Sequence, residues 1–182
     1  MENLIFNQQD IPKEKWRYGF RSSAATGCGW IATYNALRLM GYTADPKKLI
    51  RYYECQLPLI HGNMGTTIVG PVIRFRKWGF PVKLTADRRN FDALAKESDV
   101  CILFYRWHKK WKLGAHFVAL HHTENGFIGY NTFTNSKGPD LYGDSLSAFL
   151  KKKKYFGAVL IGIRDKRNAR KEEPFHIFQS TT

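Results

Sequence analysis

The chain is poor in cysteine and in acid. Its 182 residues hold three cysteines, Cys28, Cys55 and Cys101, widely spaced and without a CxxC pair. An odd number at that spacing argues against a disulfide framework and a zinc ribbon. Asp plus Glu total 15 against 29 Lys plus Arg, a formal charge of +14. That balance argues against cationic substrates and keeps anionic partners open. No stretch approaches the ~18 consecutive apolar residues of a membrane span. Residues 1–16 mix acids, amides and bases, and lack the basic start and the apolar run of about 7–15 residues that mark a secretory leader. The expectation is a soluble cytoplasmic protein with reduced thiols. Internal repeats and low-complexity segments are also missing.

What is present suits one globular domain. Hydrophobic residues make up 43%, with 13 Phe, 9 Tyr and 5 Trp to fill a core. The reading is a single domain over 1–163 and a charged tail over 164–182. Residues 1–27 read as an irregular lead-in ending in small residues. CGWIATYNALRLMG then carries apolar positions at helical spacing, with Gly41 as its stop and Thr26 as N-cap, so that Cys28 lies in the first turn. Further helices are expected from Pro46 to Glu54, from Thr66 or Pro71 to Trp78, at 90–96 and at 144–153. After Gly79 the period changes. Strands are expected at 81–86, 100–107, 115–122, 127–133 and 156–164, with Asn125-Gly126 turning a hairpin. Helices first and a largely antiparallel sheet after them point to an α+β fold.

Thiol chemistry needs a thiolate and a base. A helix N-terminus favours negative charge on sulfur, and Cys28 is placed there with a glycine on either side. Cys101 lies inside an apolar strand and reads as a small buried hydrophobe; Cys55 ends a helix. His116 follows Gly114-Ala115 at the start of a strand, where small neighbours leave the ring open to a cleft. Asn131 is 15 residues on, across the hairpin turn. Its side-chain oxygen is expected to accept from the His116 ring and fix its tautomer. In that scheme a thiolate–imidazolium pair forms between Cys28 and His116.

These segments, T-G-C-G-W at 26–30 and G-A-H-F-V-A-L with G-F-I-G-Y-N over 114–131, resemble the papain-like cysteine peptidases. The compact size points to the small branch that holds bacteriocin-leader-processing domains. The resemblance spans roughly residues 18–163 by element order. It implies Cys28 as nucleophile, His116 as base and Asn131 as orienter in a peptidase or related thiol hydrolase acting on a peptide or amide, with no cofactor and no metal. One feature departs from that family, which usually carries a Gln a few residues before the Cys to help bind the oxyanion. Here RYGFRSSAATGC contains none, and Ser22 occupies the approximate position beside the Cys28 backbone N–H. Gln8 and Gln9 would have to fold back to serve. The alternative is a catalytically weak binding module for a peptide or an anionic partner such as nucleic acid.

His121-His122 is a poor chelating pair, because adjacent strand residues face opposite ways. His61 and His108 read as solvated loop residues. The basic clusters at 74–77, 88–89, 108–112, 151–154 and 164–171 are spread along the chain with no nucleic-acid motif, and read as a cationic surface. Loops 56–66 and 106–114 are the expected sources of substrate specificity.

Overall fold

The computed structural model describes residues 4–55, 66–109 and 112–169. The lead-in is more ordered than expected. A 3₁₀ turn at Gln8–Asp10 is followed by the short strands β1 (Arg17–Tyr18) and β2 (Arg21–Ser22), which pair antiparallel, and by helix α1 (Ser23–Thr26). Helix α2 spans Cys28–Leu39. Its N-cap is Gly27 rather than Thr26, because α1 already occupies Ser23 to Thr26. Then come α3 (Pro46–Cys55), α4 (Val69–Lys77), β3 (Val82–Thr85), α5 (Phe91–Glu97), β4 (Val100–Lys109), β5 (Lys112–Thr123), β6 (Gly126–Tyr130), β7 (Asp140–Gly143), α6 (Leu146–Lys152), β8 (Phe156–Ile163) and α7 (Lys166–Ala169).

Six strands form one antiparallel sheet in the order β3-β8-β4-β5-β6-β7. Both faces of its centre are covered. Period-two alternation along β5 sends Phe117 and Ala119 to one face and Val118 and Leu120 to the other. The first face packs on Ala32, Ala36 and Leu37 of α2 and on Val72 and Phe75 of α4. The second packs on Phe91, Leu94 and Ala95 of α5 and on Leu146, Phe149 and Leu150 of α6. The outer side of α2, through Trp30, Ile31 and Tyr34, is covered in turn by α3 and by Tyr18 of the lead-in. A helix apolar on all sides is a central helix. Small Ala32 and Ala36, one turn apart, let it approach the sheet closely. An added side chain at Ala36 would overpack that contact at a cost of about 1–3 kcal/mol.

The expected tail starts too early. Asp165 is buried, accepts from the Tyr42 hydroxyl at 2.7 Å and pairs with Arg167. Arg164 to Ala169 therefore dock on the domain; the tail beyond them and loop 56–65, with His61, lie outside the described residues.

Candidate active site

The sheet opens where β6 stops. Pairing of β5 with β6 ends at Ala119↔Tyr130, while β4 continues beside β5 to Lys109↔Lys112. Asn131 turns the chain away at φ +64, a left-handed conformation that asparagine tolerates better than most residues. His116 and Phe117 thus lie on a stretch of β5 flanked by β4 but not by β6. Helix α2 brings its first residue to the same stretch. Cys28 packs there against the cluster that holds Phe117, and the backbone N–H groups of Phe117, Gly29 and Cys28 itself favour charge on its sulfur. Gly29 is needed behind it, since an added Cβ would sit 2.3 Å from Thr66 Oγ1. Thr66 is itself held by the Tyr18 hydroxyl at 3.0 Å.

The His116 ring is oriented by Asn131, but not through the expected atom. Its Nε2 lies 2.6 Å from the Asn131 main-chain oxygen. A carbonyl oxygen only accepts, so Nε2 carries the proton and Nδ1 is left as the basic nitrogen. The Asn131 side chain is engaged elsewhere. Its Oδ1 accepts from the Gln8 N–H at 2.8 Å, and its Nδ2 donates to Gln8 Oε1 at 3.1 Å. The reason is the backbone turn at Asn131, which aims the carbonyl at the ring and the amide at the N-terminal segment.

That segment brings two glutamines to the cleft. Gln8 and Gln9 do fold back, and the Nε2 atoms of both donate to the Ala24 carbonyl at 2.8 Å. Asn7 ties the segment down by donating to the Thr134 carbonyl at 3.0 Å, and accepts from the Gln9 N–H. Each amide nitrogen has two hydrogens, so each keeps one to donate. Ser22, the expected stand-in, is paired with Arg17 in the β1–β2 ribbon and does not line the cleft.

A cavity of about 590 Å³ runs along this opening. Its lining includes Gln8, Gln9, Ala25, His116 and Asn131 together with the aromatic Tyr105, Trp107, Phe133 and Tyr155. Trp107 lies flat over Gly114, where a Cβ would be 2.1 Å from the ring. His108 lines the cavity from β4 rather than from a loop, next to Trp107. Cys28 does not itself line the cavity, and its exposure is intermediate.

Burial dominates the electrostatics. It pushes the Cys28 thiol up to about 11, although the three backbone hydrogen bonds oppose it. Burial also lowers the His116 pKa, against the opposing bond to the Asn131 carbonyl. No hydrogen bond joins the Cys28 sulfur to the His116 ring, and neither group shifts the other. Burial thus favours the neutral thiol and the neutral imidazole, against the expected ion pair. Tyr105, opposite His116 on β4, meets its ring edge-on at 5.9 Å, and burial raises the Tyr105 hydroxyl well above its ordinary pKa. Sequence reasoning missed Tyr105 and named the fold-back of Gln8 and Gln9 only as a condition, because their proximity to His116 is created by strand pairing and a distant 3₁₀ turn.

His121 stacks on Tyr130 and His122 packs on Phe127, so the two rings diverge. Among the described residues no group of three or more His, Cys, Asp or Glu could hold a metal ion, and no helix is long and apolar enough to cross a membrane.

No family model and no curated protein matches the chain. Among solved structures it is similar to the peptidase domain of Streptococcus ComA, a bifunctional ABC transporter involved in quorum sensing. The TM-score is 0.52 at 13% identity, over 76% of this chain and 91% of that domain. The fold is that of a small papain-like cysteine peptidase domain.

Proposed function

We propose that the protein is a thiol hydrolase, acting on a peptide or amide bond through Cys28, His116 and Asn131. The observation that carries the reading is a cleft histidine with its tautomer already set, one residue from Phe117 of the sheet face on which Cys28 packs. Attack forms a bond from sulfur to the carbonyl carbon while the thiol proton passes to His116 Nδ1. The Nε2–H keeps donating to the Asn131 carbonyl, which stabilises the imidazolium as it appears. The developing oxyanion takes the Cys28 backbone N–H and an amide N–H of Gln8 or Gln9, in place of a glutamine just before the cysteine. His116 returns the proton to the leaving amine. Water then attacks the thioester, again giving its proton to Nδ1, and the acid departs as the thiol re-forms.

The thiol is activated only during attack, because burial holds it protonated at rest. The same observation favours a second reading, a peptide-binding module that has kept the fold without turnover. Its cytoplasmic setting and any partner are part of the proposal. A mixture of peptidyl-aminocoumarin amides decides between the two. Fluorescence release by the intact chain that disappears in Cys28→Ala is the expected result. Release unchanged in Cys28→Ala contradicts the nucleophile, and no release from any member favours the binding module.

A further inference from the structure

The walls of the cleft are chemically one-sided. Trp107, Tyr155 and Phe133 give it apolar platforms, and Asn7, Gln9, Thr134 and Asn135 give it neutral polar groups. Among the described residues that line it there is no carboxylate, and there is one lysine, Lys153. The Lys153 ammonium is held over the Phe133 ring, 4.7 Å from its centroid. Lys153 has no carboxylate partner among the described residues. It follows directly on α6 in a run of four exposed lysines, Lys151 to Lys154. Lysines at a helix end complement the helix dipole, and Lys151 and Lys152 suffice for that. Lys153 differs in lining the cavity that also holds His116.

We propose that the cleft selects peptides carrying an acidic side chain near the scissile bond, with Lys153 as the cation that receives the carboxylate. The inference rests on the hydrolase reading for the word scissile, but recognition itself does not need turnover. An extended peptide would lay its apolar groups on Trp107 and Tyr155, give its amides to the Asn and Gln side chains, and set one carboxylate at the Phe133–Lys153 end. A basic peptide would meet a fixed cation there with nothing to neutralise its own charge.

The test uses the full chain bearing Cys28→Ala and a set of neutral, rhodamine-labelled hexapeptides. One Glu, or one Gln, replaces each position in turn, and binding is read by fluorescence anisotropy. At one position the Glu peptide is expected to bind about 2–5-fold more tightly than its Gln twin, the range of an exposed ion pair. That preference is expected to vanish in ~1 M salt and to reverse in Lys153→Glu, with Lys153→Gln in between. Equal binding of all Glu and Gln twins, no binding of the Glu peptides at millimolar concentration, or a preference that survives Lys153→Glu would each overturn the proposal. So would an oligothymidylate that displaces every Glu peptide and is released by salt, which would assign Lys153 to a nucleic-acid surface. Cleavage of the same peptides by the unsubstituted chain separates the two readings. Preference without cleavage removes the hydrolase and keeps the acid subsite; cleavage without preference does the reverse.

Discussion

Cys28 and Cys101 are two thiols in one fold, both raised by burial, to about 11 and about 12. Their surroundings differ in kind. Cys101 sits near the start of β4, with hydrogen-bonded strands on both sides and Ser98 as the one polar group acting on it. Cys28 sits at a helix start, against a stretch of β5 without its β6 neighbour, with three backbone hydrogen bonds and a cleft histidine one residue from its contact. Burial alone therefore does not separate an inert cysteine from a candidate nucleophile. The separation comes from what surrounds the sulfur once the proton begins to leave.

The sharpest way to break this comparison is to swap each sulfur for oxygen. Cys28→Ser should abolish amide hydrolysis while Cys101→Ser leaves it intact, measured as steady-state release of aminocoumarin. Equal loss in both would remove the distinction. Next in size is His116→Ala, which should slow turnover by about 10²–10⁴-fold, the span of a lost general base. Gln8→Ala and Gln9→Ala follow. The one that donates to the oxyanion should cost about 10²–10³ in kcat, and Gln8→Ala should also loosen Asn131. Substitution of both without effect would leave the oxyanion to the Cys28 backbone alone.

The pH dependence tests the resting charge state. His116 is depressed below the ordinary 6.5 by burial, so the base stays neutral through pH 7. Turnover should hold steady near neutrality and fall only on acidification below the usual imidazole range. Iodoacetamide labelling of Cys28 in the substrate-free protein should climb through the alkaline range toward about 11, since the thiol is raised. Fast labelling of Cys28 at pH 6 would instead signal a preformed thiolate. The smallest effect is expected from Gly114→Ala. The new methyl would lift Trp107 off its seat and raise KM several-fold with kcat nearly unchanged.

Much of this was legible in the residues. The apolar spacing after Gly27 announced α2, and Asn125-Gly126 announced the β5–β6 hairpin, whose turn glycine has φ +101. The order of Cys28, His116 and Asn131 announced the fold. Strand β7, only Asp140–Gly143, has too few residues for alternation to show. The atom by which Asn131 holds His116 was hidden as well, because it depends on a left-handed backbone that no neighbouring residue signals. The N-terminal amides were hidden by distance: Gln8 and Asn131 are 123 positions apart, and only the completed sheet brings them together. Asp165 looked like part of a solvated charge run until Tyr42 and Arg167 were seen to enclose it.

Exposed Cys55 provides an internal reference for the decisive measurement. The intact chain is treated at pH 7 with a peptidyl epoxide, and adducts at the three cysteines are located by mass spectrometry. Modification of Cys28 ahead of Cys55, falling to the level of Cys101 in His116→Ala while Cys55 is unchanged, is the result the account predicts. Cys28 modified no faster than Cys55, or just as fast without the His116 imidazole, would contradict it.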